Sequence, residues 1–150
     1  MLLHAVGASG QSWSDIETEL AKKYSVYVFD LRGHGASTLN GRMTLEDMAK
    51  DVEELVNLLN IGPCHVIGTS IGAMVAVKFA AAAPNSIKSL SLAGVGLVPD
   101  SVLADEIYGI REAVHYLTDE DFAYQVAEAL LIPDAPEESV KTLGLSLIHI

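Results

Sequence analysis

Ser70 stands between two glycines in the stretch HVIGTSIGAMVAVKF, with Gly68 two residues before it and Gly72 two after. In a G-x-S-x-G setting small neighbours leave room for a sharp turn, which exposes the hydroxyl for attack on an acyl carbon. A serine hydroxyl is a weak nucleophile until a base takes its proton. The chain holds five histidines, His4, His34, His65, His115 and His149, from which that base would come. His65 follows Cys64 in a strand-like run and reads as a satisfied core or edge histidine. His115 lies in REAVHYLTDE, an amphipathic helical pattern away from the end of any strand, and His149 lies one residue from the last. Neither makes a credible partner for Ser70.

Catalysis of this kind needs elements that hold the serine still. The hydrophobic patterning alternates between strand-like and helix-like segments, the signature of a parallel sheet flanked by helices. Residues 1–4 read as the end of an apolar strand. Residues 12–23 read as a helix with Trp13, Ile16 and Leu20 on one face. YSVYVFD, residues 24–30, is rich in β-branched and aromatic residues and reads as a second strand. Thr44 to Asn60 is the clearest helix. Thr44 caps it, Asp47 takes the capping-box position, Met48, Val52, Leu55 and Leu59 form a stripe, and Asn60 with Gly62-Pro63 ends it. CHVIG reads as a third strand, the apolar run after Ser70 as a buried helix stopped by Pro84, and SIKSLSLAG as a fourth strand. Ser70 therefore falls where a strand ends and a helix begins. There the backbone is strained, and the helix start supplies amide groups and a positive dipole end to a developing oxyanion.

Three segments in order, LLHAVGASGQSW, FDLRGHGAST and GTSIGA, resemble the oxyanion loop, the loop after the next strand, and the nucleophile elbow of the α/β-hydrolase fold. The resemblance is to the serine esterase and lactonase branch. It implies an α/β fold with a parallel sheet made of the family's strands three to six, flanking helices and the start of a helical cap. It makes Ser70 the nucleophile, with the backbone N–H groups of Ile71 and Val6 as the oxyanion hole, and Gly68 and Gly72 as the structural residues of the elbow. Ala5 departs from the glycine usual after His4. Asp30, Arg32 and His34 are implied to be architectural, and His4 to orient its loop. Serine at the elbow excludes haloalkane dehalogenases and epoxide hydrolases of this fold, which carry aspartate there. The implied activity is hydrolysis of a small carboxylic ester or lactone through an acyl-enzyme, without metal or organic cofactor. Carbon–carbon bond hydrolysis, perhydrolysis and a non-catalytic hydrolase-fold ligand receptor are the alternatives.

In this family the order is serine, acid, histidine, and no acid–histidine pair at strand ends follows Ser70. The expectation is therefore a fragment: a partial core at 1–98, part of a helical cap at 99–144, and no triad acid or histidine, so that the fragment itself is inactive. The last six residues, LSLIHI, back-translate as CTG TCT CTT ATA CAC ATC, which matches the mosaic-end adapter of a transposon-based sequencing library. Residues 145–150 are accordingly expected to be a non-native tail.

Composition narrows the remaining classes. Half of the 150 residues are hydrophobic, which argues for a packed core and against disorder. The net charge of −11, concentrated after Pro99, excludes nucleic acid and anionic membrane as natural partners. No apolar run is long and clean enough to span a bilayer, since AMVAVKFAAAA is interrupted by Lys78. The opening lacks the basic start and long apolar run of a signal peptide, so a cytoplasmic location is expected. The single cysteine, Cys64, cannot form a disulfide within one chain and is expected to be a buried structural thiol.

Overall fold

The computed structural model describes residues 1–41 and 43–94. The cap expected at 99–144, the tail at 145–150, His115 and His149 lie outside the described residues. Four strands, β1 (Leu2–Leu3), β2 (Val28–Phe29), β3 (Cys64–Thr69) and β4 (Ile87–Ala93), form one parallel sheet in the order β2-β1-β3-β4. Three helices connect them: α1 (Ser14–Ala21), α2 (Leu45–Leu58) and α3 (Ile71–Ala82). This is the α/β architecture expected from the alternating pattern.

The core lies where α2 and α3 cover one face of the sheet. Leu3 and Val66 from the strands meet Met48, Val52 and Val56 of α2 and Val75, Ala76 and Phe79 of α3. Side chains alternate across a strand, so Val66 and Gly68 of β3 are buried while His65 is exposed. The period-3.6 pattern of α2 places Met48, Ala49, Val52 and Val56 inside. The expected stripe is rotated toward Val56: Leu55 is half-buried and Leu59 exposed, while Ala49 and Val56 join Met48 and Val52 inside.

Both ends of α2 follow from local chemistry. The Thr44 hydroxyl oxygen accepts the Asp47 N–H at 3.1 Å and donates to the Asp47 carboxylate at 2.7 Å. This satisfies one orphan amide of the first turn. At the far end Asn60 takes φ +51°, the Ile61 N–H donates to Val56 O at 2.9 Å, and the Asn60 N–H donates to Asn57 O at 3.1 Å. That pair of bonds is a Schellman closure with asparagine at the left-handed position. Helix α3 ends at Ala82, and Pro84 opens a 3-10 turn to Ser86.

Three further expectations are corrected. The strand expected over 24–30 pairs only at Val28–Phe29, in register with Leu2–Leu3, and the Tyr27 carbonyl just ahead of it accepts the Leu2 N–H at 2.9 Å. A strand is only as long as the neighbour it bonds. The helix expected over 12–23 is a 3-10 turn, Gly10–Trp13, followed by α1, and of the stripe only Trp13 is buried. Ile16 is exposed and Leu20 half-buried, since amphipathic spacing aligns a face without supplying the element that would cover it. Cys64 is half-buried at the start of β3, not enclosed, and burial pushes its thiol pKa up. No helix among the described residues is long and apolar enough to cross a membrane.

Candidate active site

In a parallel sheet all strands leave at the same edge. The register pairs Leu3 with both Gly68 and Phe29, and Thr69 with Ala93. The turn after β1, the loop after β2, Ser70 and Gly94 therefore emerge together at the carboxyl edge of the sheet. This edge is where the three motif segments meet.

Ser70 links β3 to α3 with φ +52° and ψ −120°, a region that costs a non-glycine residue on the order of 1–3 kcal/mol. Its neighbours over-determine that conformation. The Ser70 N–H donates to Ala93 O at 2.9 Å, and its carbonyl accepts from the amides of Ala73 and Met74 at 3.0 and 3.2 Å. A Cβ on Gly68 would sit 2.5 Å from Gly72 O, and a Cβ on Gly72 would sit 2.4 Å from Leu3 O and 2.5 Å from His4 O. These are backbone atoms with nowhere to go, so glycine is required at both positions for steric reasons. The close approach at Gly72 also seats the elbow directly on the end of β1.

The first amides of a helix have no intrahelical acceptor. Those of Ala73 and Met74 are already bonded to Ser70 O, whereas those of Ile71 and Gly72 find no acceptor among the described residues. The Ile71 N–H thus stands next to the serine at the positive end of an apolar helix. The expected second donor, Val6, lies in a turn after β1, with the Ala8 N–H donating to Ala5 O at 3.2 Å and Gly7 at φ +71°. The Val6 side chain is exposed.

Two loops are tied together behind this turn. The Asp30 carboxylate accepts the Gly10 N–H at 2.6 Å and the Ala36 N–H at 2.9 Å. Burial pushes its pKa up, but those two amides, with His4 and His34 nearby, hold it below the usual carboxylate value. His4 is fully buried. Its Nε2 accepts the Leu31 N–H at 2.9 Å and its Nδ1 donates to Ala5 O at 2.7 Å. Burial lowers the pKa of His4, and the hydrogen bond to Ala5 offsets only part of that. His34 is buried against it, ring centroids 5.2 Å apart, with Nδ1 3.1 Å from Arg32 O. Arg32 makes a two-pronged pair with Asp51 of α2, both contacts at 2.5 Å. Asp30, Arg32, His34 and His4 thus all have structural partners.

His65 is on the exposed face of β3, bonded to Ser89 Oγ at 2.7 Å, and belongs to the opposite side of the sheet from the core. Sequence reading did not find the Ala8 bond to Ala5 O or the link from His4 to Leu31. The adjacency of a histidine to a glycine-containing turn was the only signal. Among the described residues no group of three or more His, Cys, Asp or Glu side chains could hold a metal ion.

Comparison with known proteins agrees with this fold. The model of the alpha/beta hydrolase fold family matches residues 1–139. The chain is 42% identical over 86 residues to the magnesium-chelatase 30 kDa subunit of Rhodobacter capsulatus, covering 56% of this chain and 30% of that protein. It is 38% identical over 92 residues to the pimeloyl-[acyl-carrier protein] methyl ester esterase of Methylococcus capsulatus, covering 61% of this chain and 35% of that protein. Among solved structures, a thermophilic esterase from Thermogutta terrifontis superposes with a TM-score of 0.83 at 27% identity, over 98% of this chain and 56% of that one. The matches to these two curated relatives span about a third of the relatives' length. A parallel sheet with a strained serine at its carboxyl edge, and a family match over most of the length, make this chain a member of the alpha/beta hydrolase fold family.

Proposed function

We propose that the whole protein is a serine hydrolase that cleaves a small carboxylic ester or lactone through an acyl-enzyme on Ser70. The observation that carries this reading is the backbone of Ser70 itself, φ +52° and ψ −120°, enforced by two glycines that admit no Cβ. Strain of this size persists where the surroundings require it, and such sites concentrate where chemistry is done. In the proposed cycle the Ser70 Oγ attacks the carbonyl carbon as a base takes its proton. The oxyanion is held by the amides of Ile71 and Val6, the alcohol leaves with a proton, and water then releases the acid. No metal or organic cofactor enters these steps. The esterase of Methylococcus capsulatus and a hydrolase of Acinetobacter baylyi named for a methylene succinate, 29% identical, support a carboxylic substrate.

The base and its acid are assigned to strand ends that follow the cap in the whole protein, with an Asp or Glu after one strand and a histidine after the next. A fluorophosphonate probe is expected to label Ser70 in that protein and no other serine. Ser70→Ala should abolish both labelling and turnover of p-nitrophenyl acetate while the protein stays folded. A folded, unlabelled protein that binds ligands without turnover would replace the hydrolase reading with the receptor reading.

A further inference from the structure

Trp13 is 8% exposed, and its Nε1 is the one buried side-chain nitrogen or oxygen among the described residues without a hydrogen-bond partner. An indole N–H can only donate. Left buried and unmade, it costs the full desolvation of the group, so such a donor calls for an acceptor. A trapped water is a poor candidate. It needs two or more polar partners, and no second buried side-chain atom among the described residues lacks one.

The fold fixes the face on which this donor lies. Phe29 packs against the core that α2 and α3 cover, so Val28, one residue earlier, faces the other way. The 3-10 turn Gly10–Trp13 sits on that other face, since a Cβ on Gly10 would come within 2.8 Å of Val28 Cγ1. Trp13 accordingly lies outside the α2–α3 core. Approach to Ser70 is divided between the same two faces. Helix α3 starts at Ile71, and a Cβ on its Gly72 would lie 2.4 Å from Leu3 O, so α3 backbone fills its own face where β1 and β3 end. A base carried on a strand end of this sheet therefore reaches Ser70 across the opposite face, which is the face of Trp13.

We propose that the indole N–H of Trp13 donates to a main-chain carbonyl of the loop that carries the base, and that Trp13 is thereby a positioning residue for proton transfer at Ser70. A loop leaving a strand end has carbonyls that no ladder partner serves, and once buried each needs a donor. Trp13 offers a rigid donor on a turn packed against β1 and β2, beside the edge at which Ser70 emerges. The proposal rests on the reading of Ser70 as a nucleophile served by a base from later strands, and its test separates the two.

The crystal structure of the whole protein should place a main-chain oxygen of the loop carrying the base about 3.0 Å from Trp13 Nε1. Replacing Trp13 with 3-benzothienylalanine puts sulfur in place of the N–H at nearly unchanged ring size. That replacement should lower kcat on p-nitrophenyl acetate by about 10- to 100-fold with KM little changed, the loss that follows when a catalytic group drifts by about 1 Å. The acidic limb of kcat/KM against pH, which reports the pKa of the base, should move as well. A Trp13 Nε1 bonded to water, to the cap or to nothing would overturn the proposal. So would a sulfur variant with unchanged kcat and acidic limb. In either case fluorophosphonate labelling of Ser70 would still uphold the hydrolase reading. The bond to that loop in a folded protein that the probe leaves unlabelled would reject the hydrolase reading and, with it, the positioning role.

Discussion

Replacing Ser70 with glycine should stabilise the fold while removing the nucleophile. At φ +52° and ψ −120° a side chain costs roughly 1–3 kcal/mol, which glycine does not incur. Against this, glycine's freer unfolded chain costs about 0.4–1 kcal/mol. Taking about 2 kcal/mol for the first and about 0.7 for the second, the net gain is near 1 kcal/mol. In a chain of 150 residues that corresponds to roughly 2–4 °C in Tm. Ser70→Ala supplies the control, because alanine keeps the Cβ and hence the strain, so its Tm should stay within about 1 °C of the parent. Thermal unfolding followed by circular dichroism reads the difference. A Ser70→Gly variant no more stable than Ser70→Ala would mean that the elbow is relaxed. Backbone strain would then no longer mark Ser70 as a reactive site.

Further outcomes follow from the same contacts. Gly72→Ala drives a Cβ to 2.4 Å from Leu3 O, so it should destabilise by about 1–3 kcal/mol in urea titration, in spite of alanine's better helix propensity. Phe79→Ala empties the middle of the α2–α3 core, where Phe79 is fully buried, and should cost about 3–5 kcal/mol. Acid should weaken the fold through His4 and Asp30. Both have folded pKa values below their ordinary ones, so the unfolded state binds protons first and stability is lost as pH falls. The His4 share is complete above its ordinary value of 6.5 and is lost below it, while the Asp30 share is lost below 3.8. His4→Gln should flatten the decline just below 6.5 in denaturant midpoints measured against pH, leaving the step below 3.8 in place.

How much of this was legible in the residue order depends on the range of the forces involved. The limits of α2 were readable because Thr44, Asp47 and Asn60 act within one turn of themselves. The elbow was readable because Gly68 and Gly72 flank Ser70 in the residue order and a Cβ on Gly68 would meet Gly72 O. The clash at Gly72 is with Leu3 O and His4 O at the end of the distant β1, and showed only in the fold. The parallel order was readable from strand and helix alternation. The extent of β2 was not, because a strand's length is set by the neighbour that bonds it, and β1 lies some 25 residues away in the register of Leu3 with Phe29. Nor was the exposure of Ile16 on α1, since amphipathic spacing names a face without saying what covers it. The same holds for His4. The residue order put it at the end of a strand and the family resemblance gave it a loop to orient, but its tautomer follows from the Leu31 amide 27 positions along the chain. Local sterics and capping are written into consecutive residues. Hydrogen bonds that close across the sheet edge exist only once the chain has folded, because distant backbone groups must then take each other as partners in place of water.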